Sequence, residues 1–204
     1  MKRLLPFNKQ TVIGIGGDVS DMQALNRMLH GLYTRENYSS TAPEAQLNAA
    51  NLHTYLQKVL YNRRSKLDPL WNVILIAGFD NDTPTSNGQE AKQGKPYLAS
   101  VDLLGTTFTA PTLATGFGAH LAQPVLRRKV PYEKAAEKLT KEEAVELVKQ
   151  CMKVLFYRDA RSMDRYSIAV VTKEGGVELK EDERLEGQSW GFADRIKGYG
   201  TQVV

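Results

Sequence analysis

A short charged turn at residues 157–162, with the sequence YRDARS, places a carboxylate near a hydroxyl. Asp159 and Ser162 are three residues apart, and Arg158 and Arg161 flank the aspartate. Guanidinium groups close to a carboxylate keep it ionised and can pair with it directly, so the turn holds groups that a hydrolytic site would use. The same residues also fit a structural role at the end of a helix, where arginines face the negative end of the helix dipole. The local sequence leaves both interpretations open.

Two predicted elements must position this turn. Thr140 and Glu143 have the spacing of a capping box, which predicts the start of a long helix before it. The predicted inward face of that helix is apolar and follows the helical repeat: Ala144, Leu147, Val148, Cys151 and Leu155. After the turn, residues 166–172 and 177–179 are strand-like and flank Gly175 and Gly176, a pattern typical of a β-hairpin. The turn is therefore predicted to join a helix to a hairpin.

Other residues whose side chains could take part in catalysis or binding lack the spacing that such a site requires. The glycine-rich residues 14–18 contain neither a GxGxxG motif nor the lysine of a phosphate loop, and Asp18 would repel a phosphate, so a tight turn is the favoured interpretation. The histidines fall on separate predicted helices without metal-ligand spacing: His30, His53 and His120. The sequence therefore predicts no metal site and no cofactor.

A free-standing hydrolase is the alternative function. Its nucleophile would be Ser162 or Cys151, acting with a histidine. No GxSxG elbow surrounds the serine, and Cys151 lies at helical spacing between Val148 and Leu155, which favours a place in the core. A catalytic base must lie within hydrogen-bond reach of its nucleophile, and no histidine is near either residue in the sequence.

Composition excludes several classes of protein. The 204 residues, 42% hydrophobic and 25% charged, predict one globular domain with a substantial core. A single cysteine excludes an intramolecular disulfide framework and a cysteine-based zinc site. The net charge of +4 and the short basic clusters do not favour nucleic-acid binding. No apolar run approaches the roughly 20 residues of a membrane span, and the first ten residues do not resemble a signal peptide.

The N-terminal half is predicted to contain two strands and two helices, followed by a loop. Residues 11–15 form a short apolar strand, and Ser20 is predicted to cap the helix after it. Thr41 and Glu44 form a second capping box, which places the start of the next helix at Thr41. Residues 71–79 are almost continuously apolar, as expected of a central strand covered on both faces. The polar residues 80–96 are predicted to be an exposed loop.

The middle of the chain completes the predicted architecture. Residues 97–104 and 107–109 flank Gly105 in a predicted hairpin, and residues 119–128 form a helix that Pro124 should kink. Helices come in consecutive pairs, and the strands are clustered between them. This order is typical of an α+β fold in which antiparallel sheets are covered by helices.

Several longer segments resemble proteasome beta subunits. They are YNRRSKLDPLWN at residues 61–72, VILIAGFD at 73–80, SVDLLGTTFTAPTLATGFGAHLAQPVLR at 100–127 and YRDARS at 157–162. They occur in the order and setting seen in that family, and the similarity extends from about Lys9 into the C-terminal region. The RRSKLDPLWN segment makes the resemblance more specific than a general fold match.

The resemblance implies a four-layer αββα Ntn-hydrolase sandwich, with two antiparallel sheets between two helical layers. Residues 20–64 would form one helical layer and residues 119–157 the other, within a single domain of residues 1–204. It also implies a place in the 20S core particle, in hetero-oligomeric stacked rings with other proteasome alpha and beta subunits. The expected location is the cytoplasm and nucleus.

The resemblance further implies that this subunit is non-catalytic. Active beta subunits use an N-terminal threonine with a nearby Asp and Lys, whereas this chain opens at Met1, and its first residues resemble the segment just before the family's third strand. The first hairpin is therefore expected to be absent. Asp159 and Ser162 match accessory residues of active subunits, but Met163 and Asp164 stand where active members carry two glycines. The expected function is structural support of the core in ubiquitin-dependent protein degradation, with no catalytic residues.

The C-terminal region combines aromatic residues with glycines, and residues from about 198 to 204 are predicted to be a tail. The resemblance implies that this tail clasps subunits of the opposite beta ring. Aromatic residues separated by glycines suit a segment that docks on another subunit. In the alternative interpretation, Trp190 and Phe192 complete the core of this chain and leave only the last residues free.

Overall fold

The computed structural model describes residues 2–39, 47–80 and 94–195, and these residues contain two antiparallel sheets. The larger sheet has five strands in chain order: β1 (Leu4–Asn8), β2 (Thr11–Gly17), β3 (Asn72–Asp80), β4 (Lys95–Val101) and β5 (Thr107–Thr109). The smaller sheet pairs β6 (Arg165–Thr172) with β7 (Gly176–Arg184). Contacts of β1 and β2 with β6 and β7 place the two sheets face to face.

Helices cover both sheets. On the larger sheet, α1 (Val19–Ser39) packs against β1 and β2, and α2 (Ala49–Ser65) packs against β3 and β4. The second helical group comprises α3 (Gly118–Leu121), α4 (Gln123–Lys129), α5 (Glu133–Ala136) and α6 (Lys141–Arg158), with α3 and α4 in contact with α6. A cleft of about 260 Å³ lies between α6 and the β6–β7 hairpin. The predicted α+β sandwich with helices on both sides is confirmed.

The main core lies between the first two helices and the larger sheet. Its largest fully buried apolar side chains come from both layers and are all branched aliphatic residues: Ile13, Ile15, Leu25, Leu52, Leu56, Leu60, Ile74, Ile76 and Val101. Strand β3 alternates between fully buried and half-buried residues and lies at the centre of the sheet. Its continuous apolar sequence fits this pattern, because the residues of its second face are also half-buried.

The predicted cap of the first helix is wrong. The side chain that caps α1 is Asp18 and not Ser20, because Asp18 Oδ1 accepts the backbone N–H of Asp21 at 3.0 Å and also the Ser20 hydroxyl. Helix α2 begins at Ala49, after Asn48, whose side chain accepts the Asn51 N–H at 2.7 Å. The predicted capping pair Thr41 and Glu44 lies outside the described residues.

Other boundaries differ for local reasons. The predicted helix at 119–128 is two short helices, because Pro124 occupies the first turn of α4 and ends the run before it. Val148, predicted to lie on the inward face of α6, is 41% exposed. The predicted loop at 80–96 is shorter at both ends, since β3 reaches Asp80 and β4 begins at Lys95. Residues 81–93 and the predicted tail at 198–204 lie outside the described part.

Candidate active site at the end of helix α6

Local sequence fixes both ends of α6. At its start, Thr140 Oγ1 accepts the Glu143 N–H at 3.2 Å, and Glu143 Oε2 accepts the Thr140 N–H at 3.0 Å. This confirms the predicted capping box, which satisfies two donors that a helix start leaves free. At the other end, Asp159 adopts an extended backbone conformation. The helix therefore stops where the charged turn begins.

The turn is held together by hydrogen bonds among its own residues, and each of these bonds involves at least one main-chain group. The Asp159 N–H donates to the Leu155 carbonyl at 2.7 Å, and the Ser162 N–H donates to the Asp159 carbonyl at 3.1 Å. The Asp159 carboxylate accepts the Arg161 backbone N–H at 3.0 Å. Ser162 Oγ lies 3.0 Å from the Leu155 carbonyl oxygen and 2.7 Å from that of Asp159. A serine hydroxyl has one proton to donate, and here it is directed at the end of the helix.

The ion pair that the sequence allows between Asp159 and its arginine neighbours is not formed. Arg158 and Arg161 are exposed, and the ion pairs in the described part of the chain join other residues: Lys2 to Glu181, Arg63 to Asp68, Lys141 to Glu178 and Arg165 to Asp182. A guanidinium on a flexible side chain gains little from an exposed ion pair, whereas the Arg161 amide is already in place. Asp159 thus stabilises the turn through the backbone.

The histidines do not supply a base for Ser162. His53 is buried between α2 and β4, where Nε2–H donates to the Ser100 carbonyl at 3.1 Å and Nδ1 accepts the Tyr97 hydroxyl at 2.8 Å. Burial, and secondarily the charge of Asp80, raises the pKa of Tyr97, so its hydroxyl stays protonated as this bond requires. His30 lines an open groove of about 610 Å³ beside the β6–β7 hairpin. His120 lies on α3.

Cys151 is a core residue, as its helical spacing predicts. Its side chain is buried on α6, and Sγ points to the Ala122 carbonyl at 3.8 Å. Burial raises the pKa of the thiol above its ordinary value of 9.0. Because the thiolate is the nucleophilic form, this thiol is protonated and unreactive at neutral pH.

We expect Cys151 to resist alkylation in the folded protein. At pH 7.5, iodoacetamide should modify it at least about tenfold more slowly than in the urea-unfolded chain, because the thiolate is rarer and less accessible. Any stabilisation from the neutral thiol is complete below the unfolded pKa and is lost as the pH rises through the folded pKa. Intact-mass measurement over time gives the two rates. Equal rates would contradict the buried position.

One structural cluster was missed by sequence reasoning. Asn72, only 1% exposed, donates from Nδ2 to the carbonyl oxygens of Gly16 and Asp18, each at 2.9 Å. The Trp71 N–H donates to Asp21 Oδ2 at 2.9 Å. The Ser20 hydroxyl, followed by the Asp21 N–H, lowers the pKa of Asp18. The sequence signal for this cluster was Asn72, a polar residue at the start of an otherwise apolar strand.

The glycine-rich segment before α1 is a structural junction. Strand β2 continues through Gly17, which has φ of +98°, and Asp18 then caps the helix. In the described ranges, no group of three or more His, Cys, Asp or Glu residues has the arrangement of a metal site. Among the described helices, none combines the length and apolarity of a membrane-spanning segment.

Comparison with known proteins agrees with the resemblance seen in the sequence. A family model described as Proteasome subunit matches residues 1–171. The chain is 43% identical over 206 residues to proteasome subunit beta type-7 of Saccharomyces cerevisiae, covering 100% of this chain and 73% of that relative. It is 42% identical over 206 residues to proteasome subunit beta type-4 of Xenopus laevis, covering 98% of this chain and 74% of that relative.

A more distant relative extends the match beyond eukaryotes. Proteasome subunit beta 2 of Thermococcus gammatolerans is 30% identical over 186 residues, covering 89% of this chain and 82% of that relative. The RRSKLDPLWN segment predicts a resemblance more specific than a general fold match, and the similarity to the Xenopus beta type-4 subunit confirms it. The family model spans most of this chain, and relatives more than 40% identical to it align over nearly all of it. This chain therefore belongs to the proteasome subunit family.

Proposed function

We propose that this chain is a non-catalytic, structural beta subunit of the 20S proteasome core. It would occupy stacked hetero-oligomeric rings with other alpha and beta subunits and support their assembly for ubiquitin-dependent protein degradation. Its proposed location is the cytoplasm and nucleus. Family membership and the likeness to proteasome beta subunits over nearly the whole of this chain support the place in the core.

The proposed lack of catalytic activity is supported by the hydrogen bonding of the Ser162 hydroxyl. Its hydroxyl is directed at the main-chain carbonyls of Leu155 and Asp159 at 3.0 and 2.7 Å. A nucleophilic hydroxyl needs a base that accepts its proton, whereas both of these acceptors belong to the backbone at the end of α6. Ser162 is thus placed as a helix cap, and Asp159 as the acceptor that closes the turn.

The alternative of a free-standing hydrolase is not favoured. Cys151 is buried and its thiol pKa is raised. Both nitrogens of His53 are already bonded, to Tyr97 and to Ser100. The relatives of this chain are proteasome beta subunits, aligned along nearly its whole length.

We expect Asp159→Asn and Ser162→Ala to leave every peptidase activity of assembled core particles unchanged per particle. In Asp159→Asn, the amide oxygen can still accept the Arg161 N–H, so stability should fall by less than about 1 kcal/mol. Ser162→Ala removes one hydrogen bond at the helix end and should cost about 1 kcal/mol. Peptidase assays on particles of equal concentration, with native gels for particle yield, test both variants.

The matched control is Ser167→Ala, the same change at an exposed position of β6. It should alter neither particle yield nor activity. Loss of one peptidase activity in Ser162→Ala, at normal particle number and with the control unaffected, would overturn the proposal. A lower particle yield with normal activity per particle would support a structural role for the turn.

A further inference from the structure

The segment after β7 returns to the end of α6 and docks along it. We define residues 185–193 as the strap. The strap begins where the Leu185 N–H donates to the Asp164 carbonyl at 2.9 Å. It then passes Lys153, whose Nζ donates to the Gly187 carbonyl at 2.7 Å. Gly187 has φ of +64°, which lets the chain turn at this contact.

The Tyr157 hydroxyl makes a two-point contact with one strap residue. It donates to the Ser189 carbonyl at 3.1 Å and accepts the Ser189 N–H at 2.8 Å. One side-chain group therefore satisfies both main-chain groups of Ser189. No other side chain of α6 has this relation to the strap within the described residues.

Ring contacts surround these hydrogen bonds. The Tyr157 ring lies 5.1 Å from that of Trp190 and 5.6 Å from that of Phe192, both edge to face. Trp190 and Phe192 are stacked at 5.8 Å, and Phe156 adds a contact with Trp190 at 5.9 Å. The α6 residues that hold the strap, Lys153, Phe156 and Tyr157, are spaced i, i+3 and i+4 and so share one helix face.

The aromatic side chains of the strap are only partly buried, so hydrogen bonds account for a larger share of the stability of the docked strap. Trp190 remains 53% exposed and Phe192 44% exposed. Apolar stabilisation is proportional to the area removed from water, so these rings contribute only part of their potential. The strap contacts the last turn of α6. In that turn the Leu155 carbonyl accepts hydrogen bonds from the Asp159 N–H and the Ser162 hydroxyl.

We propose that residues 185–193 form a strap that can undock from α6 as a unit, with the Tyr157 hydroxyl as its latch. Docked, the strap fixes the last turn of α6 and the adjoining Asp159–Ser162 turn. Strap docking is a property of the folded chain and is separate from the proposed lack of catalytic activity.

Hydrogen–deuterium exchange on core particles assembled with the full chain tests the latch. Tyr157→Phe keeps the ring but removes both bonds to Ser189. Amides of residues 185–193 should then exchange about tenfold faster, equivalent to about 1.4 kcal/mol. Amides of residues 159–164 should also exchange faster, while those of α1 and α2 should not change. Trp190→Ala, which removes ring packing and keeps the hydroxyl, should also accelerate exchange in the strap.

The matched control is Tyr132→Phe, the same change at an exposed tyrosine before α5. It should leave exchange unchanged throughout. Unaltered protection of residues 185–193 in Tyr157→Phe would overturn the latch. Faster exchange spread equally over α1, α2 and the strap would also overturn it, because it would show general destabilisation in place of local undocking. Faster exchange confined to the strap and the adjoining turn would support it.

Discussion

Gly17→Ala is expected to destabilise the chain by about 2–5 kcal/mol and to prevent its stable incorporation into particles. Gly17 has φ of +98°, a conformation that costs an L-residue roughly 1–2 kcal/mol. A Cβ at this position would lie on the carbonyl oxygen of Trp71 and 3.0 Å from the Cα of Asn72. Both neighbours are backbone atoms of the β3 start, so relief requires the strand to move, at about 1–3 kcal/mol more.

Gly31→Ala is the control for this change. Gly31 lies within α1, and a Cβ there would meet nothing within 4 Å. Alanine is the better helix former, so this variant should be more stable by about 0.5–1 kcal/mol. Urea unfolding gives both free energies of unfolding, and native gels give the incorporation. A Gly17→Ala chain as stable as the Gly31→Ala chain would contradict the described junction between β2 and α1.

Asn72→Asp should have the second large effect, about 3–5 kcal/mol at neutral pH. The Asn72 amide donates to two carbonyl oxygens from a position that is 1% exposed. A carboxylate of the same shape has no proton to donate, so it would face both oxygens as a buried, unpaired charge. The junction that α1, β2 and β3 share would then lose the group that holds it.

The pH dependence of this variant has a definite sign. Burial and the facing carbonyls should raise the folded pKa of the introduced carboxyl above its unfolded value of about 3.9. The stability deficit is therefore smallest below pH about 4, where the neutral carboxyl can donate to one carbonyl, and it grows as the pH rises. Urea unfolding at several pH values measures it.

Asn51→Asp is the matched control. Asn51 is exposed in the first turn of α2, where the helix dipole favours a negative charge by roughly 0.3–1 kcal/mol. The same chemical change should thus be neutral or slightly stabilising. If the two variants lost equal stability, the cost would belong to the substitution itself and not to the buried contacts of Asn72.

Features that depend on neighbours in sequence were predictable. The capping box of Thr140 and Glu143 needs only two side chains one helical turn apart, and the hairpin at Gly175 and Gly176 needs only a conformation that glycine permits. Both are present as predicted. The cap of α1 was wrong because Asp18 and Ser20 are equally suitable by type. The choice depends on the Asp18 N–H, which donates to the Trp71 carbonyl 2.9 Å away and so fixes where the helix starts.

The sequence alone determined the family, the α+β class and the paired arrangement of helices, since these follow from periodicity, turn residues and long matching segments. Tertiary structure alone decided what the chemically suggestive residues do. Ser162 and Asp159 bind main-chain groups of their own turn, and Tyr157 bonds to Ser189, 32 residues away. Such contacts depend on which groups the packed elements bring within about 3 Å of one another, a distance that residue type and spacing do not specify.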